Sequence, residues 1–175
     1  ELALEICCQL LSNSQKTGTL DKLQLDGDIM SVGASQNAMR DAGILMINAI
    51  PSFDANQNRW DSHKSVETIV LSSLRQLQNG EFDEATLEAI KQNLIREYDL
   101  QMESNEMKAY ILASLFNTGA DPSDIVNFKE KVKAVTIDEV KAVAKKYFNA
   151  NYLAMNIQEE KNLDSNSQKL NKPDN

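Results

Sequence analysis

Val135-Thr136-Ile137-Asp138-Glu139-Val140-Lys141-Ala142-Val143-Ala144-Lys145-Lys146-Tyr147-Phe148 is the stretch from which the fold reads outward. Thr136 stands where an N-cap belongs and Glu139 lies three residues on, so hydroxyl and carboxylate can satisfy two amide donors that a first helical turn leaves without partners. Val140, Val143, Ala144, Tyr147 and Phe148 recur at the spacing of one buried helix face. Lys141, Lys145 and Lys146 fall outside that face and set positive charge near the negative end of the helix dipole. After the break at Asn149-Ala150-Asn151, Tyr152 to Ile157 has the composition of a short strand. This end of the chain therefore predicts helix, turn, strand.

The same reasoning extends upstream. Leu2, Ile6, Cys7, Leu10 and Leu11 predict a short amphipathic helix, followed by the polar loop Ser12 to Gly18. Leu20, Leu23 and Leu25 fit either a turn of helix or a strand. Ile29 to Ala34 and Ala42 to Ile50 predict two antiparallel strands joined across the polar segment Ser35 to Asp41. The second strand is almost wholly apolar, which places it inside a sheet, and Pro51, bringing no amide donor, should stop the ladder.

Beyond the polar segment Ser52 to Asn58, Val66, Ile69, Val70, Ser73, Leu74 and Leu77 keep a helical period until Asn79-Gly80. Asp83 can cap a next helix with Leu87, Ile90, Leu94 and Tyr98 on its buried side, ending or kinking at Glu103 to Glu106. Met107, Tyr110, Ile111, Ser114 and Leu115 mark the inner face of a further helix stopped by Gly119. Asp121 and Pro122 then open one carrying Ile125, Phe128 and Val132. Each buried Leu, Ile or Phe contributes roughly 1.5–3 kcal/mol, whereas ordering each backbone residue costs about 1–2 kcal/mol. These helices must therefore pack on one another and on the sheet. The expected architecture is α+β: a small, mostly antiparallel sheet packed on one side by several helices.

Length and composition narrow the function. The 175 residues suit one domain over 1–158 and a polar, disordered tail over 159–175, and 42% apolar residues suffice for a core. Twenty-six acidic against 18 basic side chains leave a formal charge of −8, which argues against nucleic acid, since phosphate binding needs clustered Lys and Arg. No run approaches the roughly 18 apolar residues that span a bilayer, so membrane insertion is not expected. The chain starts at Glu1 without a methionine or a basic-then-apolar leader and is expected to be part of something longer.

The search for a reactive centre is mostly negative. His63 is the single histidine, so no two-histidine zinc motif, in either orientation, can be written in this chain. Nothing around Ser12, Ser14, Ser31, Cys7 or Cys8 resembles a nucleophile elbow. The adjacent cysteines fit neither a mutual bridge nor a Cys-x-x-Cys metal spacing and read as small buried residues. Gly18, Gly27 and Gly33 are too scattered to cradle a phosphate. Glu84 and Glu88 lie four apart and could pair, but with Glu97, Asp99, Glu103 and Glu106 they read as a solvated helix face, as do Lys129, Lys131 and Lys133.

Taken in order, these elements resemble a known family. A helix, a loop, two strands and long helices lead to Gly119-Ala120-Asp121, then to Val135-Thr136-Ile137-Asp138-Glu139-Val140 and the helix ending in Lys145-Lys146-Tyr147, then to a strand. This order resembles the non-catalytic, carboxy-terminal type of domain in the pitrilysin and insulinase family of zinc metallopeptidases, of the inverzincin type, over about Leu2 to Ile157. The resemblance implies a sheet with helices on one side, several related domains closing into a clamshell chamber, and zinc in only one of them on an inverted His-x-x-Glu-His motif, which is absent here. In that family a companion domain offers an Arg and, seven residues later, a Tyr that help hold the substrate. The matching positions here are Leu23 and Met30, which cannot do that polar work. Family domains also carry a strand before the helix matching Glu1 to Leu11, so a sheet edge should be left unpaired.

The expected role is a domain or fragment of a zinc-dependent metallopeptidase that helps wall the substrate chamber and packs against the zinc-bearing half. Catalytic and metal residues are none in this chain, substrate-binding residues are unassigned, and zinc belongs to the partner half. The partners implied are the other domains or subunits of such a peptidase and a peptide substrate. The alternative is a non-proteolytic scaffold or interaction subunit on the same fold.

Overall fold

Leu2–Leu11 forms the helix (α1) that the other elements surround. Ile6, Cys7, Cys8, Leu10 and Leu11 are all buried, and the helix touches elements on several sides, so it is a central helix where a one-sided amphipathic one was expected. The reason lies in its sequence: Glu5 and Gln9 are its only polar side chains within the apolar run, too few for a wet face. The computed structural model describes residues 2–38, 41–54, 59–60, 63–121 and 123–157. The tail expected over 159–175 lies outside the described residues. In order after α1 come α2 (Thr19–Leu25), β1 (Ile29–Ala38), β2 (Gly43–Pro51), β3 (Phe53–Asp54), β4 (Arg59–Trp60), α3 (His63–Asn79), α4 (Glu84–Glu103), α5 (Asn105–Thr118), α6 (Ser123–Val126), α7 (Phe128–Ala134) and α8 (Ile137–Tyr147).

The turn between α1 and α2 is built on one buried carboxylate. Asp21, fully buried, accepts from Ser12 Oγ at 2.9 Å, Asn13 N at 2.8 Å and Gly18 N at 3.1 Å. Gly18 must be glycine there, because a Cβ would stand 2.3 Å from the carbonyl oxygen of Leu11. That clamp settles Leu20 to Leu25 as helix.

β1 and β2 pair antiparallel from Ile29↔Pro51 to Ala38↔Gly43, with a bulge between Ile29 and Ser31. Two expectations change here and one stands. The first strand continues through Ser35 to Ala38, since those polar residues ladder to Gly43 to Met46. Pro51 is the last paired residue, at a strand end where its missing donor costs little. Most importantly, β2 does not lie inside a sheet: among the described residues it pairs only with β1, while β3, in the polar segment Ser52 to Asn58, pairs antiparallel with β4 just beyond it. One face of the main sheet packs on α1, α2 and α3, which gives the α+β architecture with helices on one side.

The helices follow the sequence more closely. Gly80, at φ 78°, closes α3, and Asp83 caps α4 through Ala85 N at 3.1 Å. Ser104 both ends α4 and caps α5. On α5 the inner residues are Met107, Ile111 and Leu115, while Tyr110 is 68% exposed. The helix expected after Asp121 is two pieces, α6 and α7, interrupted at Asn127. α8 carries the full capping box: Thr136 Oγ1 accepts from Glu139 N at 3.2 Å, and Glu139 Oε2 accepts from Thr136 N at 2.8 Å. Its Val140 and Ala144 are fully buried against α1 and α3, and Gln78 Nε2 donates to the carbonyl of Phe148. Tyr152 to Ile157, expected as a strand, forms no regular secondary structure and no ladder among the described residues. A strand exists only through a partner, and among the described residues none pairs with it.

Cys7 Sγ donates to the carbonyl of Val140 at 3.5 Å, a direct link between α1 and α8. Burial pushes the Cys7 and Cys8 thiols up to about 12, with the Cys8 thiol adding to the effect on Cys7 and Glu5 to that on Cys8. Native pKa values above the ordinary 9.0 mean that the folded state holds these protons more tightly. The associated stability is complete below pH 9 and is lost as the pH rises toward about 12. The Cys7→Ala, Cys8→Ala double variant should accordingly show a shallower alkaline loss of unfolding free energy than the native chain in urea titrations above pH 9.0; equal slopes would contradict the burial argument. At neutral pH, Thr136→Ala should cost about 1 kcal/mol, and Leu77→Ala, at a fully buried site on α3, about 2–5 kcal/mol, both measured by the same titration.

Candidate functional surface

The pleat of β1 and β2 divides their side chains between two faces. Val32, Ala34 and Gln36 pair with Ala49, Ile47 and Leu45 on the face toward the helices, where Gln36 Nε2 donates to Glu5 Oε2 of α1 at 3.1 Å. Ser31, Gly33, Ser35 and Asn37 pair with Ile50, Asn48, Met46 and Ile44 on the opposite, outer face. Here β2 shows an apolar row, Ile44, Met46 and Ile50, each about half exposed, and β1 shows hydroxyl and amide groups. Neither strand contains a charged residue, in a chain where 25% of residues are charged. Such a face can hydrogen-bond and make apolar contact with a polypeptide. Its strands carry no residue that would transfer a proton near neutral pH.

The two positions matched to the Arg and Tyr of the resemblance flank this face without serving it. Leu23, on α2, is half-buried against the core. Met30 occupies the bulge of β1 and is 56% exposed. The bulge left no signal in the sequence, because Ile29 and Met30 are both apolar and only their pairing separates a buried residue from an exposed one.

The remaining candidates are dispersed. Glu84 and Glu88 are exposed on α4, and Glu88 is engaged by Lys91 Nζ at 2.7 Å. Lys91, which sequence reasoning missed, is only 5% exposed and also reaches the carbonyl of Lys133 at 3.4 Å, tying α4 to α7. His63 opens α3. Among the described residues no three His, Cys, Asp or Glu side chains group as metal ligands would. The donor set does not fit a zinc ion: the chain has one histidine, and both thiols are buried and held in the protonated form. A groove of about 390 Å³ runs between Thr17, Thr19 and Lys22 on one side and Glu81, Asp83 and Thr86 on the other. Its carboxylates are already used, Asp83 as the α4 cap and Glu81 as acceptor from Asn79 Nδ2 at 2.9 Å.

By sequence, no protein-family profile and no curated protein matches the chain. By fold, it is similar to solved proteins, among them the following three. A protease from Helicobacter pylori superposes with a TM-score of 0.71 at 18% identity, over 85% of this chain and 34% of that one. A protein assigned as a zinc protease in Bordetella pertussis Tohama I gives 0.68 at 16% identity, over 85% and 79%. The inactive peptidase domain of a protein so assigned in Bordetella parapertussis gives 0.68 at 16% identity, over 85% and 78%. The chain thus spans about a third of the Helicobacter protein. Its α+β fold is that of protease domains, one of them catalytically inactive.

Proposed function

We propose that this chain is a non-catalytic domain, over residues 1–158, of a pitrilysin-like zinc metallopeptidase of the inverzincin type. In this reading the outer face of β1 and β2 forms part of the wall of a substrate chamber, and zinc resides in a partner half that supplies all bond-breaking groups. The observation that carries it is the charge-free outer face, which no described element covers, on a sheet whose other side packs on helices. The fold shared with protease domains, and the donor set unsuited to zinc, point the same way.

The role is positional. Ser31, Ser35, Asn37 and Asn48 offer donors and acceptors to an unfolded peptide, and Ile44, Met46 and Ile50 offer apolar contact without selecting for charge. A surface of this kind tolerates many sequences, since it recognises backbone and apolar bulk.

Incubated with zinc and a fluorogenic peptide, the purified chain should retain no stoichiometric metal and cleave nothing. A photo-crosslinker replacing Met46 should nevertheless capture unfolded peptide. Turnover with bound zinc by the chain alone would overturn the non-catalytic assignment, and failure of capture would favour a non-proteolytic scaffold on the same fold.

A further inference from the structure

The layer between the sheet and the helices is finished at β1 and unfinished at β2. On β1, Ile29 and Val32 are buried. On β2 no residue is buried: even Leu45, Ile47 and Ala49, which face the helices and pack against the core, stay half-buried. Ile44, Met46 and Ile50 on the outer face are about half exposed. Both sides of this strand therefore hold apolar surface that a further strand beside it would cover. Among the described residues the edge is free to take one, since β2 pairs there only with β1. In an antiparallel ladder every second residue turns its N–H and C=O away from the partner strand, so β2 presents a row of backbone donors and acceptors along that edge. Natural edges are commonly guarded by Lys, an internal Pro or a covering element. This one carries Pro51 only at its end and no charge at all.

We infer that an unfolded peptide joins the sheet as a third strand along the free edge of β2, held by its backbone, and that the segments taken are uncharged and apolar at successive positions. The occupant follows from the edge, because donors and acceptors that recur at every second residue are matched by another extended polypeptide backbone. The class of segment follows from the two faces. A strand apolar at alternate positions only would set polar side chains beside one of the two apolar rows, Ile44 and Met46 or Leu45 and Ile47. A charged side chain on either face would lose hydration with no partner to compensate, since neither β1 nor β2 contains a charged residue. Uncharged apolar runs are the segments that folded proteins bury, so such an edge selects unfolded chains over folded ones. This inference rests on the chamber-wall reading of the sheet face and adds to it the mode of binding and the class of segment.

Fluorescence anisotropy of the full, unaltered chain with labelled peptides of Val, Ile and Thr, each as long as β2, tests it. The plain peptide should bind. N-methyl groups on every second residue block one edge of the peptide and leave the other free, so that affinity should stay within about threefold of the plain peptide. The same number of N-methyl groups on consecutive residues blocks both edges and should weaken binding by about fivefold or more. Glu at two adjacent positions, one for each face, should weaken it by about tenfold. Equal affinity for the two methylated peptides, with the plain peptide bound, would overturn strand addition and leave the chamber-wall reading standing. A chain that binds none of the peptides removes that reading and the inference with it. A dimer in sedimentation equilibrium that excess peptide does not dissociate would assign the edge to a second copy and likewise overturn the proposal.

Discussion

The structure depends on one constraint, which is that α1 has almost nothing to show to water. Ile6, Cys7, Leu10 and Leu11 are at most 1% exposed, and each large apolar side chain among them contributes roughly 1.5–3 kcal/mol only if surrounded on every side. The surround is what the rest of the chain supplies: α8 and α3 on one flank, α4 on another, β1 on a third, with α2 closing the turn. The few polar groups of α1 are absorbed in the same economy. Gln9 Nε2 donates to Glu5 Oε1 at 3.4 Å, and Glu5 in turn accepts from Gln36 of β1. The helix thus orders the sheet by hydrogen bonding as well as by burial.

An asymmetry follows from that arrangement. Because α1, α2 and α3 take one face of the sheet, the pleat sends every second residue of β1 and β2 to a face that no described element covers. The cost of that exposure is modest for β1, whose outer residues are Ser31, Gly33, Ser35 and Asn37, and larger for β2, whose outer residues are mostly apolar. A chain that selected only for its own stability would place polar residues at Ile44, Met46 and Ile50. Their presence is the physical basis for treating this face, and not the groove near Lys22, as the functional surface.

Legibility from sequence divided along local and non-local lines. The capping box at Thr136 and Glu139, the caps at Asp83 and Gly119 and the periodic face of α3 rest on residues within a turn or two of each other, and all stand in the structure. What could not be read depends on partners distant in the chain. Whether Ile44 to Ile50 is an inner or an edge strand is set by what pairs beside it, and its apolar composition suits either case. Tyr152 to Ile157 has the composition of a strand, and among the described residues no neighbour pairs with it to make it one. Tyr110 keeps helical period with Met107 and Ile111, yet it turns outward because α5 is apolar around much of its circumference and only α4 packs closely on it.

Composition also bounds the chemistry that the chain can assemble. Reactive sites need particular residue types brought together, and a composition with one histidine and two adjacent cysteines limits what any fold can assemble. The structure uses much of the polar chemistry that remains for holding itself together: Asp21 fixes the first turn, Lys91 joins α4 to α7, Glu139 and Asp83 cap helices, and the two thiols fill the core. Tyr98 follows the same pattern, donating to the carbonyl of Ile125 at 2.5 Å while stacking on Phe128, and burial raises its hydroxyl above the ordinary value. Side chains committed in this way are poor candidates for proton transfer, because protonation changes would break the contacts that position them. Among the described residues, the open sheet face carries hydroxyls, amides and apolar side chains and no charge, and its chemistry is that of contact.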